Sequence, residues 1–375
     1  MLDLIIRNAK TMTSAPFEIG VLNGKIVQIA EKIKTHFSKE FTLQSTHYLS
    51  AGWIDSHVHC YSELDLYYDY PDEIGVKSGV TTVIDAGSCG YDNIDDFYEK
   101  TRANQTNVYA LINISRTGIV RQDELSDLEN VKEELVRASL EKHPDFIKGL
   151  KVRMSKTVIG ENGIKPLELA KKIQVNNHQL PLMVHIGSAP ANLDEILEKM
   201  TEGDILTHCF HGKENGILDR NCGCLKSFVF AGKNKGLIFD TGHGTDSFNF
   251  EVATQALDEG LKADTISTDI YIRNRQNGPV YNLATTMEKL HVIGYSWEEI
   301  IEKVTSAPAK AFHLTTKGKI AENYDADFTI FEFINEEKEL IDSNGNQKIT
   351  QMQIQPVKTI IGGHIYDALS SKIIA

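Results

Sequence analysis

The chain has 375 residues, 41% of them hydrophobic and 24% charged, with a formal net charge of −13. That length suits one large barrel plus a smaller module. Scattered lysines and arginines on an acidic chain exclude a basic nucleic-acid footprint and a docking face for anionic lipid, and no apolar run is long enough to span a membrane.

The N-terminus, MLDLIIRNAKTM, lacks the apolar core and cleavage site of a signal peptide. Five cysteines, an odd number, give no disulfide framework, so reduced thiols and a cytoplasmic location are expected. Cys222-Gly223-Cys224 reads as an ordinary turn, since a lone C-x-C without a second pair is a poor metal clip.

In chain order, residues 1–50 read as short strands broken by turn signals. Asn23-Gly24 is the strongest of these, because both residues tolerate positive φ. The middle of the chain, 51–316, alternates strand-like runs with amphipathic helix patterns. Eight such runs are predicted, at 52–57, 80–87, 107–114, 146–153, 181–187, 204–210, 236–242 and 264–270. Repeated βα alternation is the pattern of a (β/α)₈ barrel. Residues 317–375 return to strand-like texture, with Gly362-Gly363 as a turn. The fold class expected is therefore α/β, a TIM-like barrel with a small β-sandwich domain built from both chain ends.

The residues that carry chemistry fall at the ends of these strands. His57 and His59 are two apart, so strand alternation turns both imidazoles to one face. Lys151, His185, His208 and Asp269 end the fourth, fifth, sixth and eighth strands. Burying such groups without partners costs about 1–3 kcal/mol apiece, which makes a purely structural origin for all of them expensive. Barrel enzymes place catalytic groups at this rim.

Lys151 has two readings. An ammonium cannot bind a cation, and holding it neutral against a reference pKa of about 10.4 costs roughly 4–5 kcal/mol. It either pairs with a rim carboxylate or reacts with carbon dioxide to give an anionic carbamate able to bridge two metals. Arg153 shares a face with Lys151, and could pair a substrate carboxylate or a rim acid. His243 ends the seventh strand and is free to donate to substrate or orient a loop. Arg116, His211 and Tyr61 are weaker candidates: a loop arginine, a supporting histidine and a packing tyrosine.

The motifs GWIDSHVH, KGLKVR, VHIG, THCFHG and STDI, in that order, resemble those of the amidohydrolase superfamily, in its binuclear branch of dihydroorotases, hydantoinases and deacetylases. SAPAKAFHL followed by GKIAENYDADFTIFE resembles the family's return from barrel to β-sandwich. The resemblance implies two divalent ions, Zn²⁺ by default. His57, His59 and Asp269 would hold the buried ion, His185 and His208 the other, and carbamylated Lys151 together with a hydroxide would bridge them. It implies Asp269 as general acid/base, while Arg153 and His243 stand as candidate substrate residues by their positions alone.

Dihydroorotases of this family carry an arginine two residues after the second histidine; here Tyr61 stands there, against dihydroorotate as substrate. The expected activity is hydrolysis of a small amide or ester, foremost deacetylation of a carboxylate-bearing compound. A nucleobase deaminase of adenine type and a cyclic amidohydrolase are the alternatives. A non-catalytic barrel is disfavoured because every ligand position is filled. The expected partner is a small molecule, with no nucleic acid or membrane, and a homo-oligomer is compatible.

Overall fold

The computed structural model describes residues 1–368; residues 369–375, the end of the expected C-terminal module, lie outside the described residues. The chain begins with β1 (Leu2–Ala9), β2 (Phe17–Leu22), β3 (Lys25–Ala30) and β4 (Phe37–Thr42), which form one sheet in the order β3-β2-β1-β4. β2 and β3 turn at Asn23 and Gly24, both at positive φ. β5 (Tyr48–Ala51) leaves this sheet and joins strands from the far end of the chain.

Seven parallel strands follow: β6 (Trp53–Val58), β7 (Val80–Ala86), β8 (Asn107–Asn113), β9 (Ile147–Arg153), β10 (Leu182–His185), β11 (Ile205–Thr207) and β12 (Ile238–Asp240). They pair in sequence order, so the sheet curls with helices between its strands. Those helices sit where the apolar periodicity puts them, for example Glu133–Lys142, Lys165–Asn176 and Phe250–Asp258. Pro166 lies in the first turn of its helix, where a missing N–H is harmless.

The eighth predicted strand, 264–270, is not a ladder strand. It touches each edge of the sheet by a single bridge, Thr265 to Asp240 and Ile270 to Val58. Backbone bonds still join it to both sides: the Thr241 and His243 N–H groups donate to Thr265 and Ser267, and the His59 N–H donates to Ile270. Regular pairing fails for a physical reason. The buried Asp55 carboxylate takes the Thr268 N–H at 3.1 Å and its hydroxyl at 2.6 Å, and Asp269 turns to φ +50°. The segment thus closes the ring of strands while aiming Asp269 inward.

The C-terminal part adds β13 (Phe328–Ile334), β14 (Lys338–Ile341), β15 (Gln347–Thr350), β16 (Gln353–Ile361) and β17 (His364–Asp367). A second sheet runs β17-β16-β13-β5. Its inner face shares one apolar core with the first sheet, in which Leu4, Ile19 and Ile26 meet Phe328, Ile330 and Ile360. Strands from both ends of the chain therefore bury each other's apolar faces. The hairpin β14–β15 departs from this sheet and reaches the barrel rim. Its turn residue Asp342 accepts the Phe250 N–H at 2.9 Å, and Ser343 Oγ donates to the Gly244 carbonyl at 3.1 Å. Among the described residues no helix is long and apolar enough to cross a membrane.

One expectation about the cysteines is corrected. Cys60, Cys89 and Cys209 are free and buried, but Cys222 and Cys224 form a disulfide. The Asp219–Cys224 turn closes on itself, with Gly223 at positive φ, which brings the two thiols of the C-x-C together.

Candidate metal centre

β6 delivers His57 at its end and His59 one residue beyond it, and the 264–270 segment brings Asp269 opposite. Asp269 Oδ1 lies 3.1 Å from His59 Nε2 and 3.4 Å from His57 Nε2. These three side chains offer ligand atoms within 4.8 Å of one another. Lys151, from β9, puts its Nζ 3.1 Å from His57 Nε2. His208 follows the short β11 and His185 ends β10; their rings meet edge-on with centroids 4.8 Å apart. The His57 ring lies 5.1 Å from that of His208. All six residues predicted from strand ends line one cavity of about 200 Å³.

Hydrogen bonds fix which nitrogen each ring presents. Thr207 Oγ1 donates its only proton to Asp240 Oδ2 at 2.8 Å, so the 2.8 Å contact with His57 is donation from His57 Nδ1–H. Ser88 Oγ likewise donates to Asp85 Oδ2, so His59 Nδ1–H donates to Ser88 at 2.9 Å. His208 Nδ1–H donates to the Gly242 carbonyl at 2.6 Å. Each of these rings therefore turns an unprotonated Nε2 into the cavity, the arrangement in which imidazole binds a cation. His185 Nδ1 is buried with no hydrogen-bond partner. A buried ring nitrogen without a partner among the described residues, on a ring that lines the same cavity as three other histidines, fits a residue that would ligate a cation.

The electrostatics agree. Burial, joined by the Lys151 charge and neighbouring imidazoles, depresses the pKa of His57 and His185, and that of His208 falls to about 4. Burial also pushes Lys151 down to about 7, against the pull of Asp269. For Asp269, burial raises the pKa, but the neighbouring basic groups His59, His208 and Lys151 outweigh it and hold the carboxyl below its ordinary value. Neutral imidazoles, an accessible neutral amine and a carboxylate are the protonation states a metal site demands.

The backbone makes room. Gly244, at φ +57°, lets Asp269 approach: a Cβ there would come within 2.5 Å of Asp269 Oδ2. His208 and Asp269 themselves adopt positive φ, which costs a non-glycine residue on the order of 1 kcal/mol and marks backbone held for function.

The other candidates separate. Arg153 lines the cavity, but its guanidinium is held by Glu124, at 3.2 and 3.3 Å, and by Gln122 at 3.1 Å. His243, the other candidate substrate residue, is not among the residues lining the cavity. It is fully buried, stacked on Phe248, with Nδ1 on Gly244 and Nε2 facing Lys289 Nζ at 2.8 Å. Tyr61 packs on Phe97 and donates to Asp96; Arg116 pairs with Asp92 at the surface. His211 is buried beside the site, its Nδ1 accepting the Lys213 N–H.

Sequence reasoning missed the supports Ser88, Asp85, Thr207 and Asp240. Their signal was carboxylates inside apolar strands, in VTTVIDAGS and GLIFDTG. It also missed Lys213, Tyr67 and Tyr271 of the wall, which sit on loops without periodicity. Thr207→Val removes the acceptor for His57 Nδ1–H and leaves both that group and Asp240 short of a partner. Metal affinity is expected to fall about 10–100-fold with the fold retained. A titration against a competing chelator reads this; unchanged affinity would show that the Thr207 relay does not orient His57.

Residues 320–367 match a family model described as a deacetylase-like composite domain. A deacetylase from Enterococcus faecalis is 60% identical over 97% of this chain and 99% of its own length. A solved structure described as an adenine deaminase superposes with a TM-score of 0.97 at 59% identity, covering 98% of this chain and all of that one. A dihydroorotase structure follows with a TM-score of 0.90 at 31% identity, each chain covered in full. The full-length identity, the barrel and the rim of histidines agree: the chain belongs to the deacetylase-like branch of the amidohydrolase superfamily of metal-dependent hydrolases.

Proposed function

We propose that this protein is a binuclear deacetylase that cleaves an acetyl amide or ester from a small carboxylate-bearing compound. The observation that carries the reading is the cluster of His57, His59 and Asp269 with the Lys151 amine 3.1 Å from His57. His57, His59 and Asp269 would hold one divalent ion and His185 and His208 the second, and Lys151, as its carbamate, would join the two sets of ligands. Zn²⁺ suits nitrogen and oxygen donors with open positions. The bound ions supply an activated water and polarise the acyl carbonyl.

The chain's own residues do the rest. The Asp269 carboxylate takes the proton of the attacking water and returns it to the departing nitrogen or oxygen. Thr207, Ser88 and Gly242 hold the imidazoles in the tautomer that leaves Nε2 free. The cavity, smaller than the usual ~300–1,000 Å³ of drug-sized pockets, selects a compact substrate.

The deacetylase name of a 60% identical relative supports this chemistry. The adenine-deaminase name of an equally similar structure supports the alternative. Lys151 favours the hydrolase, because family deaminases with one metal lack the bridging lysine. The test is hydrolysis of N-acetyl amino acids and O-acetyl hydroxy acids by the purified protein, before and after chelation and after return of Zn²⁺. Acetate release that is lost on chelation and restored by metal is expected. Ammonia release from adenine, with no acetate from any acetylated acid, would overturn the reading.

A further inference from the structure

Besides Lys151, two basic side chains line the cavity, Arg153 and Lys213, and their situations differ. Arg153 is committed: Glu124 is itself buried and neutralises the guanidinium, and Gln122 occupies a further N–H. Lys213 has no carboxylate within salt-bridge distance and no hydrogen bond from its ammonium among the described residues. Its backbone is nevertheless anchored. The Lys213 N–H donates to His211 Nδ1 at 3.1 Å, and His211 is buried. The exposed side chain therefore starts from a fixed point on the cavity lining.

An ammonium on the cavity lining with no carboxylate partner among the described residues is free to pair with an incoming anion. Two tyrosines, Tyr67 and Tyr271, line the same cavity with rings 4.8 Å apart. They give the organic body of a small substrate an aromatic surface.

Resting on the deacetylase reading above, we propose that Lys213 binds the substrate's carboxylate at the cavity mouth, and that Arg153 is a fixed wall residue rather than the anion anchor. The acetyl group then points down to the histidines while the carboxylate stays at the rim. Lys213 thereby sets the substrate class as N-acetyl amino acids or O-acetyl hydroxy acids with a free carboxylate close to the acetylated atom. It takes no part in bond breaking.

The test compares wild type, Lys213→Met and Lys213→Arg on N-acetylalanine, N-acetylphenylalanine, O-acetyllactate and O-acetyl-phenyllactate, each as free acid and as methyl ester. Lys213 is exposed, so the variants are expected to fold, and their metal content checks this. Wild type is expected to prefer the acids. Lys213→Met should raise KM for the acids about 10–100-fold, leave kcat within a few-fold, leave the esters unchanged, and so erase the preference. Lys213→Arg should recover part of it. An acid preference that survives in Lys213→Met, or a wild type that cleaves esters as well as acids, overturns the role of Lys213 while the hydrolase reading stands. Failure of wild type to release acetate from any member sinks the deacetylase reading and this inference with it.

Discussion

Lys151→Ala is expected to lower kcat/KM by about a thousandfold, since the carbamate proposed on Lys151 would be the one anion joining both ions. The side chain is 1% exposed and its Nζ is 3.1 Å from His57, so the variant removes charge from the centre of the site. Loss of the bridge should leave at most the ion held by His57, His59 and Asp269 tightly bound. A second readout separates this from simple loss of packing. Acetate or formate, added at high concentration, fits the space left by the side chain and supplies the missing carboxylate. Partial recovery of metal content and activity with such acids is expected; recovery with a neutral amide of the same shape is not. Full activity in Lys151→Ala would contradict the bridging role.

Asp269→Asn is expected to reduce kcat about 10²–10⁴-fold with KM changed far less, because an amide could not take up the proton that the proposed function assigns to the carboxylate. The residue is well placed for both duties. It reaches His57 and His59 from the opposite wall, and Asn274 Nδ2 donates to its carbonyl at 2.9 Å and fixes the turn. Steady-state kinetics at saturating metal check the claim. Wild-type kcat with weakened metal binding alone would assign Asp269 to ligation and not to proton transfer.

The metal-centre candidates were legible in the sequence because barrels concentrate chemistry at strand ends and strands alternate. His57 and His59 two residues apart, and single polar residues closing apolar runs, needed no tertiary information. The sandwich was legible from strand texture at both ends and from Asn23-Gly24. What was not legible depends on contacts between segments distant in sequence. The 264–270 segment has the composition of a strand, but Asp55, more than two hundred residues away, captures its hydrogen-bonding groups. His243 has the right strand-end position, yet Phe248 and Lys289 enclose it. Arg153 has the right face, but only the fold brings Glu124 to it. Lys213 lies in an aperiodic loop, and its lack of a partner is visible only once every neighbour is in place. The Cys222–Cys224 bridge depends on a local turn that composition does not specify.

The claim at the centre of this account is a bridged pair of ions. Native mass spectrometry of the protein purified with Zn²⁺ and bicarbonate tests it most directly, alongside elemental analysis. The account predicts two ions per chain and the added mass of one carbon dioxide on Lys151, both lost in Lys151→Ala. A single ion with an unmodified Lys151, in fully active protein, would contradict it.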